Sequence, residues 1–306
     1  MRVLVTGASG FVGAHLLPEL RSGGHEPVVV GIDAANLTPG APGAVADLRD
    51  PETTLAAVQS LAPDGCIHLA GQAHVPTSWA RPAETIDINV IGTVNLLEAF
   101  RRVRPAARIL FISTAEVYGR REGAEMVPED APMVPESIYG ISKAAGDMAA
   151  RAYARHHGMA VMVARPQNHI GPGQSPIFAA ASFAAQIATL LRDPALPRRL
   201  LVGNLHSERD FTDVRDVVRA YRILLERGTP GRAYNIGSGR NRRISELLDC
   251  MCAVSGIQPE RIAHEPYYRP TETPAILDTR RILTELAWKP AIPFEQTVRD
   301  ILAAAR

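Results

Sequence analysis

The sequence has no stretch long and apolar enough to cross a bilayer. Its first apolar run is short and interrupted by Gly7 and Gly10, so neither a secretory leader nor a membrane anchor is expected. Excess charge is missing too. With 33 Lys and Arg against 32 Asp and Glu, the formal net charge is +1, and no overall attraction to nucleic acid or to an anionic membrane follows. Cysteine is scarce: Cys66, Cys250 and Cys252 form no CxxC pair and no metal-ligand spacing. No metal site is expected, and the chain reads as one from a reducing, cytoplasmic setting. Internal repeats and low-complexity tracts are absent as well. What the sequence does have is bulk, 306 residues of which 46% are apolar, enough for one large unit or two lobes with a sizeable core.

The first third carries a phosphate-binding pattern. Arg2-Val-Leu-Val-Thr6 reads as a strand, Gly7-Ala-Ser-Gly10-Phe11-Val12-Gly13 follows, and an amphipathic helix runs to about Ser22. Glycines 7, 10 and 13 suit a tight turn, a close approach of backbone to pyrophosphate, and close helix packing. A helix start offers unpaired N–H groups to phosphate. Between a strand and a helix, this triplet predicts a dinucleotide site for NAD or NADP. A second strand, Pro27 to Ile32, ends at Asp33. A carboxylate there can accept bonds from the adenosine ribose and would favour NAD; as a plain loop or cap residue it would do neither. Asp47 and Leu48 follow a short strand and are candidates to contact adenine, unless Asp47 only caps the helix near Pro51. The strand Cys66 to His68 ends in Leu69, Ala70, Gly71 and Gln72, small enough at its centre to lie against the cofactor. His68 reads as a satisfied buried histidine. The helix from Asn89 to Arg102 is apolar around much of its circumference, which suggests burial on two sides.

The chemistry concentrates between Ser113 and Lys143. Arg108 to Ser113 reads as a buried strand, so Ser113 and Thr114 stand at the carboxyl edge, where open α/β sheets bind ligands. Tyr139 and Lys143 are four apart near a helix start and share one face. A free tyrosine, with a pKa of about 10, is a poor base, and a nearby ammonium favours its phenolate. Such a phenol can exchange a proton with a hydroxyl while hydride moves at the carbon, with the Thr114 hydroxyl holding the reacting oxygen. Without its context, Tyr-x-x-x-Lys would be no more than a surface pair.

Strand and helix alternate to Pro166, which predicts an α/β fold with a doubly wound parallel sheet. The remainder reads as a smaller α/β lobe for substrate. The expected division is 1–166 plus about 211–236 for the dinucleotide, and 167–210 with 237–306 for the substrate.

Together these motifs resemble the extended short-chain dehydrogenase/reductase family. The resemblance implies Thr114, Tyr139 and Lys143 as the catalytic set and a cofactor bed extending to Ser113 and Pro166. It implies that Asn168, in Arg165-Pro-Gln-Asn-His-Ile-Gly-Pro172, lies near a nucleotide-sugar diphosphate. Arg209, in Arg-Asp-Phe-Thr-Asp-Val, would bond phosphate, a task its planar fork suits; the plainer alternative is a surface arginine paired with Asp213 or Asp216. Arg269 and Glu272, in Arg-Pro-Thr-Glu, would reach the diphosphate and the nucleoside. Gln72 and Val202 complete the substrate candidates. The subfamily resemblance, carried by Asn168 to Gln174 and by the segments around His68 and Trp288, is to GDP-4-keto-6-deoxy-D-mannose reductases, with Gln167 standing where these usually carry Phe. It implies reduction of a GDP-linked 4-keto-6-deoxy-hexose at C4 by NADH or NADPH, in a homodimer built on the helices at 89–102 and 140–156. Glu116 occupies the position of the dehydratase base in Ser-Thr-x-Glu-x-Tyr-Gly, so a 4,6-dehydratase stands as the alternative, with a 4-epimerase and a non-catalytic dinucleotide-binding protein behind it.

Overall fold

The computed structural model describes residues 1–120, 126–264 and 274–305. Six strands alternate with helices along the first half: β1 (Arg2–Thr6), β2 (Glu26–Gly31), β3 (Gly43–Val45), β4 (Gly65–His68), β5 (Arg108–Ile112) and β6 (Ala160–Pro166). Among the described residues they form one seven-stranded sheet with Ala233–Ile236, in the order Ala233–Ile236, β6, β5, β4, β1, β2, β3. Every neighbouring pair is parallel. The central strands are apolar on both faces because helices cover both. Val3 and Val5 of β1 point into one core with Leu16, Leu20, Val217 and Leu224. Leu4, between them, points into the other with Val58, Leu97, Phe100 and Ala150. Strand order reverses between β1 and β4, and ligand crevices form at such a reversal, outside the carboxyl ends of the strands.

Several boundaries moved from their expected places. The helix expected from Asn89 runs over Gly92–Val103, preceded by a π-helical turn at Asp87–Ile91 that contains Asn89. The catalytic-stretch helix begins at Ile138 and ends at His157, capped by Ser137, whose side chain accepts from Gly140 N.

Helices Ala179–Arg192, Ile244–Ser255 and Phe294–Ala305 pack around a third core with Leu200 and Val202. There Arg199–Val202 pairs in parallel with Glu260–Ala263. The chain returns to the large sheet twice. Helix Val214–Arg227 covers one of its faces, and Ile282, Leu286 and Trp288 join that same core. The Trp288 indole N–H donates to Asp216 O at 3.0 Å. No helix among the described residues is long and apolar enough to cross a membrane.

Candidate active site

The glycine turn lies at the β1/β4 reversal. Gly7 has φ +69°, and a Cβ there would stand 2.8 Å from Ala70 N. At Gly13 a Cβ would meet Ala8 O at 2.2 Å, so only glycine lets this helix lie on the turn. Helix Phe11–Ser22 starts with no side-chain cap and no acidic residue in its first turn, which leaves its first N–H groups available to an anion. Ser113 Oγ is buried with no hydrogen-bond partner. An uncapped helix start, backbone packed against backbone, and a buried hydroxyl without a partner at the carboxyl end of β5 fit a dinucleotide. Phe11 and Val12 form the first turn, and the Phe11 ring stacks on His169 at 6.1 Å. Asp33 is exposed and caps a short turn, accepting from Asn36 N at 2.9 Å and Asn36 Nδ2 at 2.7 Å. Those bonds hold its carboxyl below the usual range. Asp47 is gripped by the Arg49 guanidinium, while the cap of the helix at Pro51 is Asp50.

A polar chain runs beneath the Leu69–Gln72 stretch. Ala70 N donates to Thr6 Oγ1 at 3.1 Å, and Thr6 Oγ1 lies 2.7 Å from His68 Nδ1. His68 Nε2 lies 3.0 Å from Thr93 Oγ1, which donates to Asn89 O at 2.7 Å. Because the Thr93 proton is spent on Asn89, Nε2 must carry the imidazole proton and Nδ1 must accept from Thr6. Burial, with the Lys143 charge beside it, pushes His68 down to about 3, so it is neutral. This is the satisfied buried histidine expected from the sequence. Asn89 was not anticipated. Its Oδ1 accepts from Gln72 N at 2.8 Å, and its Nδ2 donates to Gln72 O at 3.0 Å and Ser142 Oγ at 2.9 Å. It thereby ties the Leu69–Gln72 loop to the helix of Tyr139 and Lys143. The signal available in the sequence was an amide inside the apolar run Ile88-Asn-Val-Ile91. The Gln72 side chain is engaged locally, donating to Thr85 Oγ1 at 3.2 Å and accepting from His74 N.

Thr114, Tyr139 and Lys143 come together at the ends of β5 and of helix Ile138–His157. Thr114 caps the turn Ala115–Tyr118, accepting from Glu116 N at 3.3 Å. Its side chain lies near enough to the Tyr139 phenol to favour the ionised form. Lys143 Nζ stands 4.6 Å over the Phe111 ring and faces Gly71. One electrostatic expectation is reversed. Burial and then the Glu116 carboxylate push the Tyr139 phenol up, opposed by the nearby Thr114 side chain. The lysine itself is buried and pushed down to about 8, opposed by Asp147. Burial penalises the charged form of both groups, raising the phenol and lowering the ammonium.

In front of this set opens a cleft of about 730 Å³, reached by Glu116, Asn168, Arg209, His74, Phe178 and Leu201 among others. Glu116 accepts from Ser137 Oγ at 3.1 Å. Arg209 Nη1 donates to Glu208 O at 2.6 Å. The carboxylates considered as its partners are engaged elsewhere, Asp213 with Arg215 and Asp216 with Arg219. The structure corrects Val202. Strand alternation turns its side chain into the third core, and its neighbours Leu201 and Gly203 line the cleft. Gln167, also buried, donates to Ala275 O. Pro166 ends β6 at the sheet edge. Arg269 and Glu272 lie outside the described residues. The described residues hold no group of three or more His, Cys, Asp or Glu suited to a metal.

The fold, with this crevice, is that of an extended short-chain dehydrogenase/reductase. Residues 4–301 match the family described as GDP-mannose 4,6 dehydratase, and the chain is a member: an NAD(P)-dependent enzyme acting on nucleotide sugars. Among its relatives is the GDP-6-deoxy-D-mannose reductase of Pseudomonas aeruginosa, 37% identical over 99% of this chain and 96% of that one. The dTDP-glucose 4,6-dehydratase of Streptomyces niveus is 33% identical over 96% of this chain and 89% of that one. Among solved structures, RMD from Pseudomonas aeruginosa in complex with NADPH superposes with a TM-score of 0.87 at 35% identity, covering 99% and 98% of the two chains. The UDP-glucose 4-epimerase of Thermus thermophilus with NAD gives a TM-score of 0.88 at 29% identity, over 100% and 99%.

Proposed function

We propose that this enzyme reduces the C4 ketone of a nucleotide-linked 4-keto-6-deoxy-hexose, taking GDP-4-keto-6-deoxy-D-mannose to GDP-D-rhamnose with NADPH or NADH. The observation that carries the reading is the gathering of Thr114, Tyr139 and Lys143 at the ends of β5 and of helix Ile138–His157, beside Glu116 of the cleft, in a chain similar over nearly its full length to a GDP-6-deoxy-D-mannose reductase. When bound, the reduced nicotinamide supplies hydride to the carbonyl carbon. The glycine turn and helix start would hold its pyrophosphate, with Leu69 to Gly71, Ser113 and Pro166 along its length. Thr114 Oγ1 would hold the ketone oxygen, and the Tyr139 phenol, kept protonated by its raised pKa, would give that oxygen its proton. The Lys143 ammonium would orient the nicotinamide ribose. Asn168 and Arg209 would anchor the diphosphate, and that remote binding helps orient the ketone. Residues 1–166 and about 211–236 would carry the cofactor, and the remainder the sugar nucleotide. A homodimer through the helices at 89–102 and 140–156 is supported by exposed Ile91, Ile141 and Met148.

A second reading rests on Glu116, which reaches the cleft and raises Tyr139. There it would act as the base of a 4,6-dehydratase, removing a proton so that water leaves the sugar. Purified protein is given the keto sugar with NADPH or NADH, and reduced-nicotinamide absorbance is followed. Stoichiometric loss with a deoxyhexose product supports the reductase. Conversion of GDP-mannose to a keto sugar without added reductant supports the dehydratase and refutes the reductase. Tyr139→Phe should abolish turnover while leaving dinucleotide affinity within about twofold of the parent.

A further inference from the structure

One turn beyond Lys143 on the same helix lies Asp147, fully buried. Arg165 of β6, itself 1% exposed, grips it from below, with Nε 2.8 Å from Oδ2 and Nη2 3.0 Å from Oδ1. Arg151 Nε adds a third bond to Oδ1 at 2.8 Å. Arg165 also reaches away from the helix. Its Nη1 donates to the Tyr118 hydroxyl at 2.8 Å and to Glu129 O at 2.7 Å. Tyr118 in turn donates to Asn235 Oδ1 at 2.8 Å. Tyr118 closes the turn that Thr114 opens and Glu116 occupies. Glu116 returns to the helix through Ser137, whose hydroxyl accepts from Gly140 N at 2.9 Å. The turn carrying Thr114 is therefore tied to the helix at two places, and Tyr139 and Lys143 lie between them.

A buried ion pair is seldom worth more to stability than apolar side chains of the same volume. Stability alone does not account for a desolvated Asp and Arg at this spot. We propose that Asp147, clamped by Arg165, is a positioning residue of the active site. It registers the Thr114–Tyr118 turn against the Tyr139–Lys143 helix and keeps a negative charge one turn behind the Lys143 ammonium.

The groups facing Lys143 are few. His68 on β4 is neutral, the Phe111 ring comes from β5, and Tyr139 and Asp147 share its helix. Asp147 is the anion among them. Removing it leaves Arg151 and Arg165 unbalanced, and both effects disfavour the charged lysine. Removing Arg151, which is partly exposed, does the opposite.

The chain holds only two lysines, Lys143 and Lys289, so the charge can be read directly. Protein labelled with 13C at lysine Cε gives two resonances, with Lys289→Arg identifying each. Asp147→Asn should move the Lys143 titration to lower pH by about one unit or more, the scale of a buried charge one helical turn away. Arg151→Gln, on the flank of the pair, should fold in any case and should move it to higher pH. A Lys143 titration unmoved in Arg151→Gln, or unmoved in folded Asp147→Asn, overturns the electrostatic role. Tyr118→Phe removes only the hydroxyl link. It should lower kcat about tenfold with dinucleotide affinity and the Lys143 titration unchanged; unaltered kcat overturns the registering role. That last arm rests on the reductase reading, whereas the lysine titrations do not, so failure of one is distinguishable from failure of the other.

Discussion

Thr6→Val tests the polar chain beneath the Leu69–Gln72 stretch. The substitution keeps shape and removes one hydroxyl that is fully buried. That hydroxyl accepts from Ala70 N at 3.1 Å and donates to His68 Nδ1 at 2.7 Å. Its loss strands a part-buried donor and a buried acceptor at once. Each stranded group costs about 1–3 kcal/mol, and the methyl that replaces the hydroxyl returns roughly 1 kcal/mol of apolar burial. The net destabilisation should be about 3 kcal/mol, two orders of magnitude in the folding equilibrium. Urea unfolding followed by circular dichroism reads it as a lower midpoint at an unchanged slope. Thr6→Ser keeps the oxygen and the proton and should lose less than about 1 kcal/mol, the loss of one methyl. A Thr6→Val protein within about 0.5 kcal/mol of the parent, the range of an inconsequential substitution, would refute the donor order assigned to this chain. So would equal losses in the valine and serine variants.

Two further outcomes follow from the same region. Gly13→Ala gains about 1 kcal/mol of helix propensity, but its Cβ would sit 2.2 Å from the Ala8 carbonyl oxygen, and backbone cannot swing aside. Thermal melting should show a net loss of about 2 kcal/mol, and calorimetric titration should show NADPH binding weakened more than about tenfold. His68 supplies a pH dependence: its ordinary value of 6.5 falls to about 3 in the fold. As pH drops from 6.5 toward 3, the unfolded chain takes up a proton that the native chain refuses, so stability falls through that window and is complete above it. The loss from this one group approaches about 4 kcal/mol, and unfolding at graded pH should show that slope flattened in His68→Gln.

What was legible in the sequence was whatever depends on local spacing. The glycines at 7, 10 and 13 between a strand and a helix, and the four-residue step from Tyr139 to Lys143, each specify geometry within one or two turns. Contacts between distant segments were not legible. Nothing near Thr6 announces that it serves Ala70 and His68, and nothing near Asp147 announces Arg165. Val202 was misplaced because a short strand in a small lobe gives no register, and one residue of slip exchanges core for cleft. The sign of the Tyr139 shift was misread for a related reason. Spacing on a helix gives proximity to Lys143, whereas burial, which comes from the whole fold, outweighs it.

The strand Ala233–Ile236 closes the sheet beside β6 only after the chain has built part of the other lobe. During synthesis, then, β6 waits with an unpaired edge, and one apolar face of the sheet is covered only by helix Phe11–Ser22 until Val214–Arg227 emerges. At ~5–20 residues per second that interval lasts on the order of ten seconds. A nascent chain paused there offers an aggregation-prone edge to its neighbours and a natural target for a chaperone. Truncation after Pro166 would make that transient state permanent.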